Sequence, residues 1–84
     1  MKTNYEEEVV VEVIKDLEAR YTYDEEALRA ACRQCLPSFK QTKDTEYGLY
    51  NRRGYQTCRF EIYDKAGHRY SVSCWHYDSY YDVA

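Results

Sequence analysis

The chain is poor in the residues that signal familiar chemistry. Its three glycines stand apart, at Gly48, Gly54 and Gly67, so no glycine-rich loop is available to cradle a phosphate. Neither a nucleophile elbow nor a His-Glu metal spacing occurs. Apolar runs stay far below the roughly 18 residues of a membrane span, and the opening MKTNYEEEVV has neither the basic stretch nor the apolar run of a secretory signal. No repeat, low-complexity tract or linker divides the sequence. The two histidines, His68 beside a turn and His76 near a strand end, have no partners in the sequence that would make a catalytic set. These absences lead to the expectation of a single cytoplasmic domain, 1–84, that is not an enzyme and does not enter a membrane.

What is present sharpens that expectation. A chain of 84 residues buries only about 60–70% of the surface its unfolded form exposes, so its core is thin. Residues 1–36 carry nine acids against five bases, and residues 37–84 carry seven bases against six acids. An acidic half argues against wrapping on a phosphate backbone, whose affinity comes from many Lys and Arg contacts. Eleven tyrosines accompany one tryptophan and two phenylalanines. Tyr offers a large, rigid, amphipathic contact area with little rotamer entropy to lose, which suits a recognition surface.

The periodicity predicts two helices and three strands. Val10, Val13, Ile14, Leu17 and Tyr21 recur at helical spacing, giving a first helix over about 5–20. Asn4 is its expected N-cap, with Glu7 completing a capping box and an acidic first turn matching the helix dipole. A second helix over about 23–36 starts at Thr22 or Asp24 and stops at Pro37, with Leu28, Ala31, Cys32, Cys35 and Leu36 as its apolar stripe. Residues 37–45 read as a polar connector anchored by Phe39. Strands follow at about 45–50, 55–63 and 68–77.

Two turns set the strand register. YNRRGYQ and YDKAGHR each place Asn51 or Asp64 three residues before a glycine, the pattern of a type I turn closed by a left-handed glycine. With Asp64 closing on His68, Ile62 faces Tyr70, Phe60 faces Val72 and Cys58 faces Cys74, so one hairpin face is apolar throughout. Closing Asn51 on Tyr55 puts Tyr50 and Gly48 on that same face, with Gly48 opposite Cys58. The other face then carries Tyr47, Leu49, Arg59, Glu61, Tyr63, Arg69, Trp75 and Tyr77. Helices and sheet combine into an α+β domain, two helices on one face of a three-stranded antiparallel meander in the order ααβββ. The tail HYDSYYDVA either extends the last strand or hangs free.

The four cysteines have two readings. Cys32, Cys35, Cys58 and Cys74 all point into the layer between helices and sheet, where they are either small packing residues or, if zinc is bound, its tetrahedral ligands. No cofactor is expected in the first case. Helical ACRQCL is unlike the tight turns that usually present a zinc Cys-x-x-Cys. Thioredoxin-like chemistry is disfavoured because the pair occupies the last turn of its helix, where the dipole raises a thiol pKa. Opposed Cys58 and Cys74 are close enough for a disulfide, which a reducing cytosol keeps open.

Function is expected on the outer sheet face. Tyr47, Arg59, Tyr63, Arg69, Trp75 and Tyr77, with Arg52 and Arg53 at a hairpin rim, are the candidate partner-binding residues, since Tyr, Trp and Arg dominate protein hot spots. The same aromatic and arginine mixture suits stacking of single-stranded nucleic acid, and burial against a second copy would give a homodimeric structural domain. CRQC near the middle and SVSCW near the end resemble features of one small type of phage-encoded anti-CRISPR protein that binds a CRISPR nuclease. The chain is also similar to that anti-defence group in size, acidity and tyrosine content. Spacing and surroundings of the two motifs differ, so no functional residue carries over. The resemblance implies a stoichiometric protein-binding inhibitor, phage or mobile-element encoded, acting on a host protein or ribonucleoprotein complex that handles nucleic acid, such as a CRISPR-Cas effector.

Overall fold

The computed structural model describes residues 6–84. Helix α1 spans Glu7–Arg20 and α2 spans Glu25–Cys35. Four strands follow: β1 (Lys40–Gln41), β2 (Glu46–Tyr47), β3 (Arg53–Tyr63) and β4 (Arg69–Asp82). The domain is α+β, as the periodicity implies, with four antiparallel strands where three are expected.

Helix α1 buries Val10, Ile14 and Leu17, the 3- and 4-residue spacing that gave it away. The expected cap Asn4 and the helix start at residue 5 lie outside the described residues. The described helix is entered at Glu6, whose side chain makes no capping bond and whose carbonyl accepts from Val10 N–H at 3.1 Å. Of the two caps considered for α2, Asp24 is the one used: its Oδ1 accepts from Ala27 N–H at 3.0 Å. Thr22 turns back instead, its hydroxyl donating to the carbonyls of Glu18 and Ala19, each at 3.0 Å. α2 buries Leu28, Ala31 and Cys32, and Leu36 follows into the core just before Pro37. Cys35 does not: it is exposed. Leu36, four residues after Cys32, takes the inward position, and Cys35 is turned away from it on the last helical turn.

Strand β3 is the spine of the sheet. β4 pairs along one of its edges, and β1 and β2 share the other. Both turns close as the sequence implies. Asn51 N–H donates to Tyr55 O at 2.8 Å and Asp64 N–H to His68 O at 3.1 Å, with Gly54 and Gly67 at φ of 84° and 91°. Between β3 and β4 the register is the derived one: Cys58 opposes Cys74, Phe60 opposes Val72 and Ile62 opposes Tyr70.

The first hairpin departs from its expected register by one residue. Tyr47, not Gly48, lies opposite Cys58, and Glu46 lies opposite Arg59. Residues 48–50 leave the ladder after Gly48 N–H donates to Thr57 O at 2.9 Å, while Gln56 Nε2 donates to Gly48 O at 2.8 Å. The slack is absorbed there, so the turn keeps its geometry and the strand slips. A side chain at position 48 would meet Thr57 Oγ1 and require that hydroxyl to shift.

The segment expected to be a plain connector contributes β1, with Gln41 opposite Ile62. The cause is Arg29 of α2. Its guanidinium donates to Gln41 Oε1 at 3.1 Å, Thr42 O at 2.7 Å and Thr45 Oγ1 at 2.9 Å, and it lies 4.1 Å from the centre of the Phe60 ring. Gln41 returns a bond to Arg29 O at 2.8 Å. Phe39 packs against the core as the expected anchor, its ring 6.0 Å from that of Tyr70.

Outward N–H groups of β4 are met by α1 and its exit. Ser73 N–H donates to Glu18 Oε2 at 2.8 Å and Trp75 N–H to Thr22 O at 2.7 Å. Further along, the ladder is interrupted: Tyr55 pairs with Tyr77 but Arg53 with Asp82, so β4 carries extra residues between them. Asp78 Oδ1 accepts from Tyr80 N–H at 3.0 Å within that bulge. β4 also continues past the helices, and every residue of it after Cys74 is exposed or half-buried. The tail is therefore strand through Asp82.

Candidate partner-binding surface

Alternation along β3 and β4 turns Cys58, Phe60, Ile62, Val72 and Cys74 towards the helices, where all are buried. The opposite face carries Arg59, Glu61, Tyr63, Arg69, Trp75 and Tyr77, and no element among the described residues covers it. Its middle is polar. Arg59 is ion-paired with Glu46, and Arg69 Nε lies 3.7 Å from Glu61 Oε1. Thr57, Ser71 and Ser73 fill the positions between.

The expected binding residues do not form one patch. Tyr63 opposes Arg69 at one end of the hairpin, and Tyr55 opposes Tyr77 eight residues back along β3, roughly 26 Å away at the usual strand rise. Tyr47 is on the wrong side for the outer face. Paired with Cys58, it faces the helix layer, and its hydroxyl donates to Glu25 Oε1 at 3.2 Å. Burial and the nearby Glu25 carboxylate push its phenol pKa up. Arg53 opposes Asp82 and lines a hollow with Tyr55 and Tyr77, while Arg52 O accepts from Val83 and Ala84 N–H at 2.9 and 3.1 Å.

At that far end the aromatic rings form two groups, one around Tyr55 and one around Tyr81. The Tyr55 ring lies 4.9 Å from Tyr77, 6.4 Å edge-on to Trp75 and 5.7 Å from Tyr23, which comes from the turn between the helices. Tyr50 stacks on Tyr81 at 3.9 Å with 11° between planes, and Tyr80 and His76 flank the pair. Tyr77 hydroxyl donates to Asp82 Oδ2 at 2.9 Å, which raises its pKa. Tyr80 is 81% exposed and Leu49, in the adjoining loop, 96%. Tyr23, Tyr50, Tyr55, Tyr80 and Tyr81 belong to these groups without being among the residues expected to bind. Continuing the strand pattern through HYDSYYD would have reached two of them.

Beneath the first residues of α2 the helix layer ends over the sheet, leaving a recess of about 170 Å³. Tyr23, Glu25, Tyr47, Gln56, Cys58, Trp75 and His76 line it. Burial would raise the Glu25 carboxyl pKa, but hydrogen bonds from Thr45, Arg29 and Tyr47 outweigh that and hold it below its usual value.

The cysteines do not assemble into a tetrad. Cys32, Cys58 and Cys74 are buried while Cys35 faces solvent, and among the described residues no group of three or more His, Cys, Asp or Glu is placed to hold a metal ion. Burial pushes the Cys32 thiol up to about 11 and the Cys74 thiol to about 12. Thiolate chemistry at neutral pH is therefore suppressed at both. No helix among the described residues is long and apolar enough to cross a membrane.

Fold and surface together define a small α+β domain whose two-stranded ribbon carries two groups of exposed and half-buried rings. No protein-family model, curated protein or solved structure matches the chain.

Proposed function

We propose that the chain is a non-catalytic protein-binding domain that engages its partner through the aromatic end of the β3–β4 ribbon. The observation that carries this reading is the pair of ring groups on the outer part of the ribbon, Tyr55 against Trp75 and Tyr77, and Tyr80 against Tyr81. Rings already braced by neighbours lose little freedom on binding, and exposed aromatic clusters of this kind mark interaction sites. Arg52 and Arg53 form the rim.

Following the resemblance to phage anti-defence proteins, the partner is a host protein or ribonucleoprotein complex that handles nucleic acid. The chain acts on it as a stoichiometric inhibitor in the host cytosol. Between residues 6 and 36, nine acids against four bases leave a charge of −5, which supports attraction to a basic surface on such a partner. Direct capture of nucleic acid is the weaker alternative, because Arg59 and Arg69 are already committed to carboxylates.

The test titrates the purified chain into a CRISPR-Cas effector and follows nuclease activity. We expect complete inhibition at one-to-one stoichiometry. The double variant Trp75→Ala, Tyr77→Ala should keep the wild-type circular dichroism spectrum and lose both inhibition and co-purification. Equal capture by the variant would sink this surface. A wild-type dimer in light scattering that becomes a monomer in the variant would assign the rings to self-association instead.

A further inference from the structure

The recess under the start of α2 adds a chemical preference to the surface proposed above, and rests on that reading for its biological meaning. We infer that it receives one cationic side chain, arginine or lysine, presented by the protein partner. Its volume of about 170 Å³ falls below the ~300–1,000 Å³ of ordinary small-molecule sites, so one side chain is the natural occupant.

The lining selects a cation. Tyr23 and Tyr47 offer aromatic surface, which attracts a cation over its faces. Glu25 Oε2 is engaged by Arg29 and Thr45, but among the described residues Oε1 accepts only the 3.2 Å bond from Tyr47 and keeps room for another donor. Gln56 spends its amide N–H on Gly48 O, leaving Oε1 as an acceptor. The first turn of α2 and its cap hold Asp24, Glu25 and Glu26 against the single Arg29, a local charge of −2. The positive end of the helix dipole offsets only about half a charge of that. An anion is thus repelled, and an apolar side chain would strip water from two acceptors without replacing it.

The experiment needs no partner. Isotope-labelled full-length chain is titrated with N-acetyl-arginine amide, N-acetyl-lysine amide and N-acetyl-citrulline amide, the last being the neutral isostere of the first. We expect the arginine probe to shift the Gln56 side-chain amide and the Tyr23 and Trp75 signals saturably, with Kd of roughly 1–10 mM. Citrulline should bind at least about fivefold more weakly. Tyr23→Ala, at an exposed position, should melt like the wild type and lose about threefold or more in affinity for the cation. Gln56→Leu provides a second variant with the same expected direction.

Equal binding of arginine and citrulline would overturn the inference, as would shifts spread without saturation over the acidic helices. The two proposals fail separately. Saturable arginine binding with unchanged partner capture by the Trp75, Tyr77 double variant would sink the binding surface and leave the recess standing. The reverse outcome would sink the recess alone.

Discussion

Cys32 and Cys35 are three residues apart on α2 yet meet different surroundings, and chemical reactivity should divide accordingly. A thiol-specific reagent at pH 8 is expected to label Cys35 in seconds to minutes, while Cys32, Cys58 and Cys74 react only on unfolding; four fast-reacting thiols in the native protein would contradict the burial described. Tyr70 offers a second residue-level test. Its hydroxyl is buried without a hydrogen-bond partner among the described residues, so Tyr70→Phe should be neutral or stabilise by up to about 1 kcal/mol in urea denaturation. His68 supplies a third. A hydrogen bond to Asp64 at 2.9 Å, then the Asp64 charge, raises the imidazole above its ordinary 6.5. Asp64 feels a burial effect that raises it, overcome by His68, and ends below its ordinary 3.8. The raised imidazole contributes stability fully below 6.5 and loses it as pH rises through the folded value. The lowered carboxyl contributes above 3.8 and loses it on acidification. The turn is therefore tightest between those two values, and His68→Gln should flatten the pH dependence of its amide exchange.

Arg29 shows what an element needs beyond its own propensity. Nothing in PSFKQTKDT suggests a strand, and β1 exists because a guanidinium on α2 collects the oxygens of Gln41, Thr42 and Thr45 and holds the segment against β3. Such a placement depends on residues 12 to 16 positions away, which periodicity cannot register. Replacing Arg29 by Ala removes these bonds and the packing over Phe60 together, and should cost about 2–4 kcal/mol. Hydrogen exchange should rise first across residues 40–47; uniform loosening of the whole domain would argue for a different role. The parts that were legible are those governed by local rules: the α2 cap at Asp24, both glycine-closed turns and the β3–β4 register all follow from short patterns. The first hairpin slipped because three residues after Gly48 were free to leave the ladder, and Cys35 was misplaced because Leu36 competed for the same inward direction. At the candidate site, the outward placement of Trp75 and Tyr77 was legible from the alternation. Tyr23, contributed by a distant turn, had no sequence signal.

At the scale of the molecule, the buried core and the exposed rings occupy different parts of a body 54 Å long and about 20 Å across. The core under the helices is small, and Phe60 is the largest fully buried side chain among the described residues. Phe60→Ala is expected to cost about 3–5 kcal/mol, a large share of the roughly 5–15 kcal/mol available to a domain, and should collapse the thermal transition. Changes at Tyr80 or Tyr81, beyond the helix layer, should shift the melting temperature little. The design leaves a hazard, since an outer strand rich in tyrosine is a template on which further chains can stack. β4 meets it in two ways: the carbonyl of Thr22 and the carboxylate of Glu18 occupy its outward donors near the core, and the bulge before Asp82 breaks the flat edge beyond it. The native protein is therefore expected to stay clear at high concentration, and deleting the extra residues of that bulge should turn the solution into one that binds amyloid dyes.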